Sequence, residues 1–203
     1  MRAQLLRQAL RLAISLFVFS AASGAIASDA AEKAATCAAC HGADGNSINP
    51  QWPNLAGQHA GYTAQQLKAF KEGNRQNPSM APMVANLTPE DMTALGEHFA
   101  AMQPKIGTIG ADDIAAGETL YRGGNVESGI PACMACHGPN GAGNAAANYP
   151  SLRGQHAAYT SIQLNAYKQG TRAGDEKAIM RTIAEKMTEA EIESVAKYIN
   201  ALY

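Results

Sequence analysis

A chain of 203 residues is long enough for one ordinary domain or two small ones. It is 46% hydrophobic and 16% charged, rich in alanine and glycine and thin in large apolar side chains, so two half-length domains would each have a slight core. Its 16 basic and 17 acidic side chains form no basic stripe, which argues against a nucleic-acid partner.

The chain opens with Arg2, Arg7 and Arg11, then an apolar run from Leu12 to Ala22, then Ala25-x-Ala27. That is the pattern of an export signal, with the cut expected after Ala27. The apolar run is too short to span a bilayer comfortably. Without an Arg-Arg pair, export in the unfolded state is expected, with any cofactor attached afterwards. Removing residues 1–27 leaves 13 basic against 17 acidic side chains. The expected destination is the periplasm, with the mature chain soluble there.

The rest of the chain reads as the same half written twice. "WPNLAGQHAGYTAQQLKAFKEGNR" at 52–75 matches "YPSLRGQHAAYTSIQLNAYKQGTR" at 149–172, at an offset of 97. In chain order, a helix over about residues 30–40 leads into "TCAACHGADGN", and a glycine-rich loop follows. A middle helix covers about 61–72. A loop then leads to "LTPEDMTALGEHFAAM" (87–102), where Thr88 and Asp91 form a near capping box. Met92, Leu95, Phe99 and Met102 fall on one face of this closing helix. A linker near 104–110 is marked by Pro104, Gly107 and Gly110. The second half repeats the order: a helix over 111–123, "ACMACHGPNGAGN", a middle helix over 157–169, and a closing helix at 187–202 with Thr188, Glu191 and the stripe Ile192, Val195, Ile199 and Leu202. No alternating strand pattern appears, so an all-α chain is expected. Its domains are 28–103 and 111–203, after a signal peptide at 1–27.

All four cysteines lie in two Cys-x-x-Cys-His units, Cys37/Cys40/His41 and Cys133/Cys136/His137. This is the attachment signal for c-type haem. Thiols at i and i+3 lie on one side of a helical turn and can add to the two vinyl groups of one haem; the next imidazole projects toward its iron. A thioredoxin-like redox pair needs a βαβ context, and a disulfide leaves the repeated histidine unexplained. Zinc pairs usually sit about 15–20 residues apart, whereas Cys40 and Cys133 are 93 positions apart. Two covalently bound haem c groups are therefore expected, and they would also fill the slight cores.

A carrier of electrons fills both axial positions of the iron, and His/Met ligation raises its potential. Met80, Met83 and Met180 precede the closing helices. At offset 100, Met80 aligns with Met180, while Met83 aligns with Ile183, which cannot ligate. Met80 and Met180 are the expected sixth ligands, in loops that fold over the haem. Met92, Met102 and Met187 read as core. His59 and His156 recur in "GQH" and are a weaker alternative pair of ligands, better suited to a solvent-facing or haem-edge hydrogen bond. Pro53 and Pro150 have carbonyls suited to orienting the proximal histidines. Arg75 and Arg172 are candidates for haem propionates, or else solvated helix ends.

Two Cys-x-x-Cys-His units, "PNLAGQ" and "PSLRGQHAAYT", and a methionine before each capped closing helix resemble the dihaem cytochrome c4 family over essentially the whole mature chain. The resemblance implies two tandem class I cytochrome c folds, each wrapped around a covalent haem and related by a pseudo-twofold axis. It implies His41 with Met80, and His137 with Met180, as iron ligands. It also implies a monomeric periplasmic carrier, not an enzyme, sometimes loosely membrane-associated. Such a carrier passes electrons between redox proteins toward a membrane-bound terminal oxidase. The alternative is the haem-bearing subunit of a redox enzyme such as a flavocytochrome sulfide dehydrogenase. A dihaem peroxidase fits less well, because two matched methionines leave no iron position open. One departure stands out. Gly117 and Tyr121 in the second half are a small and aromatic pair suited to packing on the closing helix, whereas the first half has only "DAAEKAAT" there.

Overall fold

A computed structural model describes residues 30–108 and 110–203. The first half contains α1 (30–41), α2 (Ala60–Lys71), α3 (Met80–Val84) and α4 (Pro89–Ala100). The second contains α5 (Ala111–Gly123), α6 (Met134–His137), α7 (Ala157–Lys168), a 3₁₀ turn (Glu176–Ala178), α8 (Ile179–Glu185) and α9 (Glu189–Asn200). Among the described residues no strand forms, only isolated bridges, so the chain is all-α as expected. The signal-peptide stretch and Ala27 lie outside the described residues. No helix among the described residues is long and apolar enough to cross a membrane.

The closing helices start where their caps dictate. The Thr88 hydroxyl accepts from the Asp91 N–H, and the Asp91 carboxylate accepts from the Thr88 N–H. Thr188 and Glu191 repeat both bonds. Each box satisfies donors that the first turn leaves unpaired. The stripes then turn inward: Met92, Leu95 and Phe99 in α4, and Ile192, Val195 and Ile199 in α9, are buried.

The middle helices pack on the closing ones, α2 on α4 and α7 on α9. The two cores differ in content. The second gathers Leu120, Tyr121, Ile130, Met187, Tyr198 and Leu202 around the α9 stripe. The first has Ala34, Leu95 and Phe99 at its centre, with Ala30 and Ala34 of α1 supplying alanines where the second half has larger groups. Where α5 crosses α9, a Cβ on Gly117 would stand 2.3 Å from the Ser194 carbonyl oxygen. That glycine lets Tyr121 sink to 0% exposure, with its hydroxyl donating to the Gly138 carbonyl at 2.7 Å.

The two entry helices end as expected, and the methionine segments depart from the sequence reading. In the first half α1 runs unbroken through Cys37 and Cys40 to His41, as expected. In the second, α5 stops at Gly123, again as expected, and a loop closed by the Asn125–Ile130 bridge separates it from α6, which carries the Cys-x-x-Cys-His unit. Gly124, at φ +70°, and Pro131 account for the break. The methionine segments, expected as loops, form the short helices α3 and α8, which pack on α2 and α7 respectively.

The crossing at Gly117 makes a prediction. Gly117→Val should lower the stability of the second half by about 2–3 kcal/mol through overpacking, read as a lower urea midpoint. Gly123→Ala, at a position with nothing within 4 Å of the added Cβ, should leave the midpoint unchanged or raise it slightly.

Candidate functional site

Each Cys-x-x-Cys-His unit ends on an imidazole held from behind. His41 Nδ1 lies 2.9 Å from the Pro53 carbonyl oxygen, and His137 Nδ1 lies 3.0 Å from that of Pro150. A carbonyl can only accept, so Nδ1 carries the proton in both rings. Nε2 is left with its lone pair free to bind a metal. Burial pushes both histidines below the usual imidazole range, against the opposing effect of the proline carbonyl, so both are neutral ligands at pH 7. The glycine-rich loop turns the chain back to supply that proline. Gly45 and Gly141, both at positive φ, offer their carbonyls to Leu55 N and Leu152 N, each at 2.7 Å.

The thiols are unlike an activated redox pair. Burial, with Cys40 adding to it, pushes the Cys37 thiol up. Cys133 is pushed up to about 11, chiefly by burial. A thiolate nucleophile requires the opposite shift. Among the described residues no group of three or more His, Cys, Asp or Glu side chains could hold a metal ion. Two thiols followed by a neutral imidazole with a free Nε2 suit covalent haem. Two buried side-chain polar atoms among the described residues, His59 Nε2 and Thr63 Oγ1, have no protein partner. Either atom could hydrogen-bond an added polar group, Thr63 Oγ1 as donor or acceptor and His59 Nε2 according to its tautomer.

Met80 opens α3, where the Asn77 side chain accepts from its N–H at 3.1 Å. Met180 follows two left-handed residues, Lys177 and Ala178 at φ +54° and +57°. Arg181 Nε donates to Asp175 at 2.7 Å and closes that turn. Both methionines are half-buried, whereas Met83 is exposed.

The two sites meet through a reciprocal set of hydrogen bonds whose detail is not legible in the sequence. Gln155 Oε1 accepts from Asn54 N and its Nε2 donates to Asn54 O, each at 2.9 Å. Gln58 does the same to Ser151 N and O, again at 2.9 Å. His156 Nε2 donates across to the Ser47 carbonyl at 2.9 Å, so it is an interface residue with its Nε2 engaged, and neither it nor half-buried His59 is solvent-facing.

Arg75 and Arg172 also lie in this interface. Arg75 donates to Gln66 of its own half and to Tyr159 and Gln163 of the other. Arg172 donates to Gln163 of its own half and to Tyr62 and Gln66 of the other. Each guanidinium lies 4.5 Å over an aromatic ring of its own half, Phe70 or Tyr167. They are therefore not solvated helix ends; Arg172 is 7% exposed. Burial alone would raise the Tyr159 phenol, but Arg75 and Arg172 outweigh it and hold it below the usual phenol range. The signal for this clamp was present in the sequence as the paired repeats of Tyr, Gln and Arg.

An all-α fold with two haem-attachment units, each with its imidazole oriented by a proline carbonyl, defines a tandem c-type cytochrome. The comparisons with known proteins agree. The family model for cytochrome c matches residues 28–102 and 114–202. Cytochrome c4 of Pseudomonas aeruginosa is 41% identical, covering 84% of this chain and 86% of that protein. A thiosulfate dehydrogenase electron acceptor of Stutzerimonas stutzeri is 43% identical, covering 81% and 78%. The crystal structure of reduced recombinant cytochrome c4 from Pseudomonas stutzeri superposes with a TM-score of 0.84 at 38% identity, covering 87% of this chain and 98% of that one. The chain belongs to the dihaem cytochrome c4 family. It binds two covalent haem c groups and is an electron-transfer cytochrome.

The clamp can be tested directly. Tyr62→Phe removes the acceptor of a buried guanidinium N–H and should cost about 1–3 kcal/mol in denaturant unfolding. Tyr159→Phe should act in the same direction on the symmetry-related contact.

Proposed function

We propose that this chain is a periplasmic carrier that receives electrons from a redox protein at one haem and delivers them from the other, toward a membrane-bound terminal oxidase. The observation that carries the reading is the joining of the two Cys-x-x-Cys-His sites by reciprocal hydrogen bonds between their histidine-orienting loops. A rigid pair of sites suits a two-iron relay. The haems supply the redox chemistry, each iron alternating between ferric and ferrous. The chain supplies Cys37 and Cys40, and Cys133 and Cys136, for the thioethers. It would supply His41 with Met80, and His137 with Met180, to hold the two irons, and Pro53 and Pro150 to orient the imidazoles. The repeat, and the helices on either side of 104–110, support a division into domains at 28–103 and 111–203. Export with cleavage after Ala27 places thioether formation outside the cytoplasm. The mature protein works as a monomer.

A second reading has a specific observation behind it: relatives named as thiosulfate dehydrogenase electron acceptors are as similar to this chain as the cytochrome c4 relatives are. In that reading the donor is a sulfur-oxidising dehydrogenase, the class of partner anticipated with sulfide dehydrogenase. Mixing the oxidised protein with such a dehydrogenase and thiosulfate separates the readings by the rate of haem reduction. Oxidation of the reduced protein by oxidase-containing membranes tests the delivery step, and no oxidation there would remove the terminal-oxidase assignment.

The ligand assignment has its own outcome. The mass of the mature protein should equal the chain from residue 28 plus two haems. Met80→Ala and Met180→Ala should each remove about half of the weak near-infrared methionine–ferric band, because axial ligation sets the electronic character of the iron. Met83→Ala should leave the band intact.

A further inference from the structure

We propose that each half sets the basicity of the other half's haem-ligating histidine: Gln155 acts on His41, and Gln58 acts on His137. The inference rests on the reading of both histidines as iron ligands.

One amide group carries each connection. The peptide between Pro53 and Asn54 has two ends. Its carbonyl accepts from His41 Nδ1 at 2.9 Å, and its N–H donates to Gln155 Oε1 at 2.9 Å. The peptide between Pro150 and Ser151 has the same arrangement, with His137 Nδ1 at 3.0 Å and Gln58 Oε1 at 2.9 Å. Hydrogen bonds in series polarise one another, by about 10–30% per bond. An acceptor on the N–H draws electron density onto the carbonyl oxygen of the same amide. That oxygen then holds the imidazole Nδ1–H more strongly, and the ring becomes a more basic ligand. A more basic ligand favours the ferric state and lowers the potential.

The glutamines are fixed for the task. Each carboxamide also donates through Nε2 to the carbonyl of the residue whose N–H it accepts, at 2.9 Å. The donor and acceptor ends are therefore assigned by their partners. Each Oε1 also accepts from the next N–H in its own chain, His59 N or His156 N. Gln58 is buried, so bulk water has little access to compete for its contact. The crossing lies in the hydrogen bonds: the side-chain bonds of each glutamine go to the opposite half's peptide and to its own next N–H.

The test uses the full holoprotein with haem methyl resonances assigned to each half, titrated electrochemically. Gln155→Leu should raise the potential of the His41 site, shift the Asn54 amide proton upfield, and leave the His137 site unchanged. Gln58→Leu should do the reverse, moving the His137 site and the Ser151 amide. Gln155→Met, closer in shape, should move in the same direction if the leucine variant folds poorly. Gln155→Glu retains an acceptor on the Asn54 N–H and should not raise the His41-site potential. Tyr62→Phe loosens the same interface without touching either peptide, and should leave both potentials in place. Equal shifts at both sites, a shift only in the mutated half, or no shift despite a moved Asn54 amide would each overturn the inference. The reading beneath it fails separately, and takes the inference with it, if the wild-type protein does not show two reversible c-type couples.

Discussion

A proline carbonyl bonded to an imidazole Nδ1–H is a small interaction, worth about 1 kcal/mol net in an ordinary setting. Here much of the architecture serves to place it. The glycine loop exists to bring Pro53 and Pro150 back over His41 and His137, and its carbonyls are satisfied by the residues that follow those prolines. The capped closing helices back the loop: Gly57 N donates to Phe99 O, and Gly154 N to Ile199 O. The interface bonds are made to the residues immediately after the prolines. The tautomer of each ring, and so the availability of Nε2, depends on this one contact.

The two halves reach the same arrangement with different materials. The second half has an aromatic core centred on Tyr121 and Tyr198, whose rings lie 5.5 Å apart, and Gly117 admits the close crossing that buries Tyr121. The first half fits alanines of α1 against α4, so its own side chains supply less apolar contact. Its 47–54 loop also receives more help from across the interface. Asn54 Nδ2 donates to Gly154 O and His156 Nε2 donates to Ser47 O, in addition to the Gln155 pair. The thinner half is thus braced by the thicker one.

Most of the fold and the core of the site were legible because they depend on local rules. Thr88 with Asp91, and Thr188 with Glu191, announced the closing helices, and the two Cys-x-x-Cys-His units announced the imidazoles that the Pro53 and Pro150 carbonyls hold. The end of α5 at Gly123 was legible ahead of Gly124 and Pro131, whereas α6 is too short to leave a periodic signal. The helices at Met80 and Met180 are too short to leave a periodic signal. The interface was visible only as recurrence. Nothing in a single copy of "GQH" or in one arginine indicates that its partners lie about a hundred residues away, and a buried arginine bonded to neutral tyrosine and glutamine runs against the usual pairing with a carboxylate.

The reciprocal contacts also say something about how such a chain can come to be. Gln58, Tyr62, Gln66 and Arg75 meet a surface built from their own counterparts, so either half presents a face complementary to a copy of itself. That is the geometry of an isologous dimer. A duplicated and fused gene would inherit the contact ready-made, and the tether would turn an association that depends on concentration into one that does not. Once fused, the copies are free to diverge only where the partner does not read them. Ser151 fits this pattern: its side chain differs from that of Asn54 and bonds only within its own half, while the backbone groups that the opposite glutamine grips are the same in both.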